Sequence, residues 1–325
     1  MRLAFIAVLA VVVIAMGASA APQPITIATG PAAGFALPLG GEICRIVEQE
    51  SQRKSRCSIL ATEGSVDDLE RLRNGEANLA IVQSDVAAEA VASAGPFEGK
   101  PPFADLRGIA GFYPEALTIL VRSDGTVKEA EDLKGKRVVV GEPSLPNTLF
   151  ADYLEALGWT KSDLGGTVEM PRGDEVAALC AGTVAAVALT APHPNGFVRS
   201  AMTAAPCPLT ILDLGSSPID TVTAAHPAYA PAVLDLGVYT GQPKLVHSFG
   251  PRAVLVTTSK LDNETVLRLM TAIDKNGDNL RKAHPAFAGL ERTAMFSSRG
   301  IGAELHPAAS KYLSDNKIGE QLSGE

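Results

Sequence analysis

Three times within its first ninety residues the chain repeats one unit: a short β-branched or apolar run, a turn of small and polar residues, then an apolar segment of helical period. The first unit is Ile25–Gly41, ITIATGPAAGFALPLGG. Ile25 and Ile27 read as a buried strand, the small residues from Thr29 to Gly34 as a close backbone turn, and a helix is expected from near Pro38 through Glu50. Cys57–Ala61 is the second strand; Thr62-Glu63-Gly64-Ser65 turns into a helix that presents Val66, Leu69 and Leu72 on one face and stops at Asn74-Gly75. Leu79–Val82 is the third, running into Gln83-Ser84-Asp85 and another helix. Repeated strand-turn-helix units define an α/β fold with a largely parallel sheet, and such sheets bind ligands beyond the carboxyl ends of their strands. A glycine turn feeding a helix N-terminus offers unpaired N–H groups and a positive dipole end, which suit an anion such as a carboxylate.

Residues 1–20 (MRLAFIAVLAVVVIAMGASA) combine Arg2, an unbroken apolar core and the small-residue ending Ala18-Ser19-Ala20, the pattern of a cleaved secretory signal peptide. The expected mature chain is therefore exported, soluble and periplasmic, long enough for about two domains. Its formal charge of −8 becomes one unit more acidic when Arg2 leaves with the leader. No basic cluster exceeds Arg53-Lys54, which argues against nucleic acid and anionic membranes as partners. Four cysteines allow three pairings. Local closure favours Cys44–Cys57 and Cys180–Cys207, each within one helix-to-strand unit. The five histidines are scattered singly, so neither a metal nor a cofactor is expected.

Downstream, Leu106–Tyr113 and Leu117–Val121 read as strands separated by Tyr113-Pro114-Glu115, and Ser123–Lys136 as a short helix. A new strand-turn-helix unit then begins at Arg137–Val140 and passes through Gly141–Thr148 into a helix over Leu149–Gly158. Val176–Gly182 is expected to be helical, Val184–Leu189 and Leu209–Leu212 to be strands, and the Pro- and Ala-rich stretch through Pro231 to be irregular. Ala253–Thr257 forms a late strand, followed by helices over Leu261–Leu280 and Ala308–Leu313. A strand returning after a second α/β set implies a chain that crosses back to complete the first. The expected organisation is a two-lobed fold of type II binding-protein kind, each lobe a mixed, mainly parallel sheet flanked by helices. Lobe 1 comprises 21–115 and 245–325 and lobe 2 comprises 116–244, with a ligand cleft and hinge between them.

The strand-end loops supply Thr29, Gly34, Thr62, Ser65, Gln83, Ser84, Asp85, Asn147 and Asn195, mostly hydrogen-bonding groups with no evident proton shuttle. The sequence contains no GxSxG, GxxxxGK[ST], HExxH or GxGxxG motif. Paired carboxylates such as Asp67 and Asp85 meeting in space would be needed for an enzyme, with Asp85 or Glu115 as base; the reading preferred is a binding protein, not an enzyme. A third reading is an exported receptor-like protein that senses or tethers a partner. No arginine stands out as an anion anchor, Arg122 at a strand end being the nearest.

Taken together, Thr29-Gly30 with Gly34, Pro38-Leu39-Gly40-Gly41, Ile43-Cys44-Arg45, Arg56-Cys57-Ser58, Thr62-x-Gly64-Ser65-Val66 and Gln83-Ser84-Asp85 form an ordered set. It continues through Pro114-Glu115, Leu133–Val138, Leu154–Trp159, Ala178-Leu179-Cys180, His193-Pro194, His284–Ala288 and Leu305-His306-Pro307 with Tyr312. On these residues the chain resembles the TAXI-type solute-binding proteins of tripartite ATP-independent periplasmic (TRAP) transporters over nearly its whole mature length. The resemblance implies a monomeric receptor that captures a small organic anion, a glutamate-like amino acid or a dicarboxylate, and delivers it to a membrane permease. With Phe35 of the first turn and the His193-Pro194 pair, the candidate ligand-binding set is Thr29, Gly34, Phe35, Thr62, Ser65, Gln83, Ser84, Asp85, Asn147, His193, Pro194 and Asn195. The cysteines also fall where the cysteine-containing branch of that family has them. Ala36 and Leu37, where the family carries aromatic rings, Ser144-Leu145-Pro146 and Thr62-Glu63-Gly64-Ser65 depart from the family pattern and leave the identity of the solute open.

Overall fold

A computed structural model describes residues 24–142, 145–146 and 148–318. The leader, Ser144 and Asn147 lie outside the described residues. The strands are β1 (Ile25–Ala28), β2 (Cys57–Leu60), β3 (Leu79–Gln83), β4 (Leu106–Pro114), β5 (Ala116–Arg122), β6 (Arg137–Val139), β7 (Gly141–Glu142), β8 (Leu145–Pro146), β9 (Gly166–Val168), β10 (Ala186–Ala191), β11 (Leu209–Ile211), β12 (Tyr229–Leu234) and β13 (Val246–Thr258). They form two helix-flanked sheets. The first has the order β12-β13-β3-β1-β2 with β4 also paired to β13, and the second the order β11-β5-β10-β6-β9; β7 and β8 make a separate hairpin.

Each sheet is mixed. In the first, β1 lies parallel to β2 and β3, while β13 is antiparallel to β3, β4 and β12. In the second, β6 is parallel to β9 and β10, while β5 is antiparallel to β10 and β11. Both sheets are buried on both faces, as strand alternation shows. Ile27, Ile81 and Leu255 enter one core cluster while their neighbours Ala28, Val82 and Val254 enter another. In the second sheet Ile119 and Val138 face one cluster, and Leu120 and Val139 the other.

The chain passes between the sheets twice in close register. β4 ends at Pro114 and β5 begins at Ala116, so Glu115 alone separates them. β13 runs alongside: the Glu115 N–H donates to the Pro251 carbonyl at 2.8 Å, and Ser248 Oγ donates to the Leu117 carbonyl at 2.5 Å. Ser84 Oγ adds a further tie, donating to the Ala228 carbonyl at 2.6 Å and accepting from the Arg252 N–H at 2.9 Å.

Most elements follow the sequence pattern, and the differences have local causes. The first helix starts at Ala36 rather than near Pro38, since proline is accommodated in a first turn. The stretch expected to be irregular contains the helix Ser216–Ala225 and β12. Pro218 sits in that helix's first turn, and Ile219 and Val222 supply its buried stripe. The long C-terminal helix divides at Asn276 into Asn263–Lys275 and Gly277–Ala283. The helix expected over 123–136 shrinks to a 3-10 turn, Ala130–Leu133.

Both disulfides, Cys44–Cys57 and Cys180–Cys207, are formed; the first staples the helix Ala36–Glu50 to β2 across 13 residues, and the second the end of the helix Glu175–Cys180 to the loop before β11 across 27. Closing a loop of this size restricts the unfolded chain by about 3 kcal/mol. Replacing Cys180 and Cys207 by serine is expected to lower unfolding free energy by about that amount, read as a fall in the urea midpoint.

Candidate functional site

The carboxyl ends of β1, β2 and β3 form one edge of the first sheet, and those of β6, β9 and β10 one edge of the second. At the first edge much of the predicted donor set is already engaged. Thr29 is fully buried; its hydroxyl reaches the Leu60 carbonyl at 3.4 Å, and its methyl lies where a side chain at Gly40 would have to go. The Gly34 N–H donates to the Pro31 carbonyl at 2.8 Å. Phe35 packs edge-on against His284, 5.1 Å between centroids, and near Tyr113, on the core side of the turn.

Asp68, which sequence reasoning did not select, organises this edge. Its Oδ1 accepts the Gly30 N–H at 3.0 Å and the Thr62 hydroxyl at 2.6 Å, tying the two glycine turns together, while its buried Oδ2 has no partner among the described residues. Burial pushes this carboxyl up to about 6, against the opposing effect of its two donors. Its signal in the sequence was an acid in the first turn of the helix Ser65–Arg73, a position usually explained by the helix dipole alone. Asp67 turns away to Arg71 at 3.0 Å and does not pair with Asp85.

Ser65, Gln83, Asp85 and Glu115 do come together. Ser65 Oγ accepts the Gln83 N–H at 3.0 Å, and Gln83 Nε2 donates to Glu115 Oε2 at 2.8 Å. Ser84 is completely buried and serves as the inter-strand tie described above. From the second sheet's helix Thr148–Ala156, Asp152 accepts the Tyr229 hydroxyl at 2.6 Å and raises the Asp85 carboxyl by repulsion, on top of the larger effect of burial. Glu115 is pushed up to about 7, chiefly by desolvation and then by Asp85. Among the described residues no Lys or Arg forms an ion pair with Asp85, Glu115 or Asp152.

The raised value has a defined sign. Between the usual carboxyl range near 4 and about 7 the folded protein binds more protons at Glu115 than the unfolded chain does, so this group's stabilising contribution is present at low pH and lost as pH rises through 7. Glu115→Gln, which keeps the partner for Gln83, is expected to flatten the decline in melting temperature between pH 5 and 7.5, as differential scanning fluorimetry across buffers would read.

At the second edge His193 precedes Pro194 in a cis peptide. Both ring nitrogens are occupied: Nε2 lies 2.7 Å from Thr118 Oγ1 and Nδ1 2.6 Å from the Tyr239 hydroxyl, which also takes the Asn195 N–H at 2.6 Å. Burial lowers the imidazole to about 4, so it is neutral at physiological pH. Asn195 Oδ1 caps the helix Gly196–Ala204 through Phe197 and Val198. His193 and the Asn195 side-chain oxygen thus shape the edge rather than offer free groups. Arg122 is at the opposite edge, at the far end of antiparallel β5, held by Asp124 and the Cys180 carbonyl. Two surface cavities, of about 300 Å³ beside the helices Ala36–Glu50 and Asn263–Lys275 and about 490 Å³ beside Cys180–Cys207, lie away from both edges. The carboxyl edges are preferred as the site because parallel α/β sheets place ligands there.

Two helix-flanked mixed sheets joined by crossing strands constitute the fold of periplasmic solute-binding proteins, and solved structures bear this out. A TctC solute-binding protein from Polaromonas superposes with a TM-score of 0.56 at 17% identity, over 90% of this chain and 98% of that one. A periplasmic sulfonate-binding protein SsuA from Methylobacillus flagellatus KT superposes with a TM-score of 0.53 at 13% identity, over 94% of this chain and 88% of that one. Both are binding proteins rather than enzymes. The chain belongs to the NMT1-like family, whose pattern matches residues 27–316.

Proposed function

We propose that this protein is an extracytoplasmic solute receptor of TAXI type, which captures a small organic anion between two lobes and delivers it to a TRAP membrane permease. The lobes are 21–115 with 245–325, carrying the first sheet apart from β12, and 116–244, carrying the second sheet together with β12. The observation that carries this reading is the passage at Glu115 together with β13, whose Phe249 packs in a core of the second sheet and whose Ala253 and Leu255 pack in that of the first, joining two sheets whose parallel strands end in small, polar loops. The exported setting is supported by the two disulfides, and among the described residues no helix is long and apolar enough to cross a membrane. Family membership and the fold of the solved relatives support a binding role; the TRAP assignment rests on the sequence resemblance, and the anionic solute on that resemblance together with the strand-end turns.

Native mass spectrometry of protein purified from its own periplasm is expected to reveal a bound small solute that is lost after unfolding and refolding. Adding that solute back should raise the melting temperature by mass action. Purification with no solute, together with no thermal response to carboxylates, amino acids, amides or amines, would remove the receptor reading.

A further inference from the structure

Tyr113, near the end of β4, is 2% exposed, yet its hydroxyl has no hydrogen-bond partner among the described residues. A buried polar group left unpaired costs stability and calls for a partner. The ring itself is fixed: it stacks on Phe287 with centroids 5.2 Å apart and planes at 12°, and tilts against Phe35 at 6.2 Å. Burial, and after it the Glu115 carboxylate, pushes the phenol upward, so the hydroxyl stands on the Glu115 side of that stack. The two residues are two apart in sequence, the spacing that puts side chains on one side of an extended chain.

The hydroxyl is thus aimed at acids that lack a counter-charge. One Glu115 oxygen accepts from Gln83 Nε2 at 2.8 Å, and the other accepts nothing among the described residues. Asp85, in the first turn of the helix Ser84–Ala92, is bound by backbone N–H groups of its own turn, that of Val86 at 2.9 Å. Asp152 approaches from the helix Thr148–Ala156 beside the second sheet, and its charge raises Asp85 as Asp85 in turn raises Glu115. Glu115 and Asp85 are both half-buried, and Glu115 is the single residue between β4 and β5, so the cluster lies where the two lobes meet. Mutual repulsion of this kind is relieved by a cation from solution. The acids are not gathered as metal ligands: among the described residues no three of His, Cys, Asp or Glu converge to hold an ion. An ammonium suits them better, since its three N–H donors match two carboxylates and a phenol oxygen, all able to accept.

We infer that Tyr113, Glu115 and Asp85 form an ammonium subsite of the cleft, so that the solute carries a protonated amino group beside its carboxylate and acids without one are discriminated against. This rests on the receptor reading above. The test is calorimetric and thermal-shift titration of the wild type, Glu115→Gln, Asp85→Asn and Tyr113→Phe against matched pairs: L-glutamate with glutarate, L-aspartate with succinate, and L-alanine with propionate. Putrescine is added as an amine without a carboxylate. An amino acid that binds should bind the wild type at least about tenfold more tightly than its deaminated partner. Glu115→Gln, which keeps the partner for Gln83, and Asp85→Asn are each expected to shrink that ratio to within about threefold. The deaminated acids should bind these two variants as well as they bind the wild type or better, because a repelling charge has gone. Tyr113→Phe should shrink the ratio by less, having lost one neutral acceptor. A merely structural role would instead weaken both members of a pair alike. Deaminated acids binding the wild type as tightly as their amino acids overturn the subsite while leaving an anion receptor standing, and so does an undiminished ratio in both Glu115→Gln and Asp85→Asn. Putrescine alone stabilising the wild type, and not Glu115→Gln, supports the ammonium contact and removes the anionic half of the receptor reading. No response to any probe counts against both. Asp85→Asn and Tyr113→Phe carry the comparison should Glu115→Gln fail to fold.

Discussion

Gly250→Ala is expected to cost about 4 kcal/mol of folding free energy, more than ordinary overpacking, because the added carbon would meet backbone and not a side chain that can rotate away. A Cβ built at Gly250 falls 2.0 Å from the Glu115 carbonyl oxygen and 3.2 Å from the Ala116 Cα. Those atoms belong to the other crossing segment, so relief requires the two connections between the sheets to part. The Glu115 N–H to Pro251 carbonyl bond lies in the same place and would be strained with them. Gly41→Ala is the internal control: nothing lies within 4 Å of its added carbon, and in a helix interior alanine is favoured over glycine by up to about 1 kcal/mol. Urea unfolding of both variants should give shifts of opposite sign. A Gly250→Ala midpoint within error of wild type would mean that the crossing is looser than its backbone contact implies.

The fold was readable where one physical signal dominated. Ile25–Ala28 and Leu79–Gln83 are apolar runs closed by turn residues, and the structure places both inside one sheet. Reading weakened where tertiary context overrode local chemistry. Proline and alanine between Gly215 and Pro231 looked like breakers, yet Pro218 occupies a helical first turn and Pro231 pairs opposite Phe249 in β12. The site was legible at the level of loops and much less at the level of atoms. Thr29, Gly34, Ser84, His193 and Asn195 stand at the expected strand ends, but their polar groups are taken up by Leu60, Pro31, Ala228, Tyr239 and Phe197. Which partner a hydroxyl or amide finds depends on what another loop brings beside it, and a linear pattern does not contain that. Asp68 went unselected for the same reason: it acquires its role from a neighbour distant in sequence, Gly30.

Arg252 is the clearest case of a role invisible in sequence, and its removal should be as damaging as the glycine substitution. It is 5% exposed, and among the described residues no carboxylate forms an ion pair with it; burial lowers its guanidinium to about 10. The charge is held by carbonyl oxygens: Phe112 in β4 at 3.3 Å, Ala294 at 2.8 Å and Arg299 at 3.3 Å. One side chain thereby binds the crossing strand β13 to β4 and to the C-terminal segment that covers it. Gly111 and Gly300 make room for it, since a Cβ at either would fall 2.7 and 3.1 Å from its atoms. Arg252→Ala is expected to lose about 4 kcal/mol, combining a cavity with orphaned buried carbonyls at roughly 1–3 kcal/mol each. Arg252→Met separates the two contributions, because it restores most of the volume and none of the donors. If the methionine variant unfolds at nearly the alanine midpoint, the carbonyls account for the loss. Wild-type stability in Arg252→Met would instead mean that burying the uncompensated charge costs as much as its hydrogen bonds return, leaving Arg252 to fix geometry without adding stability.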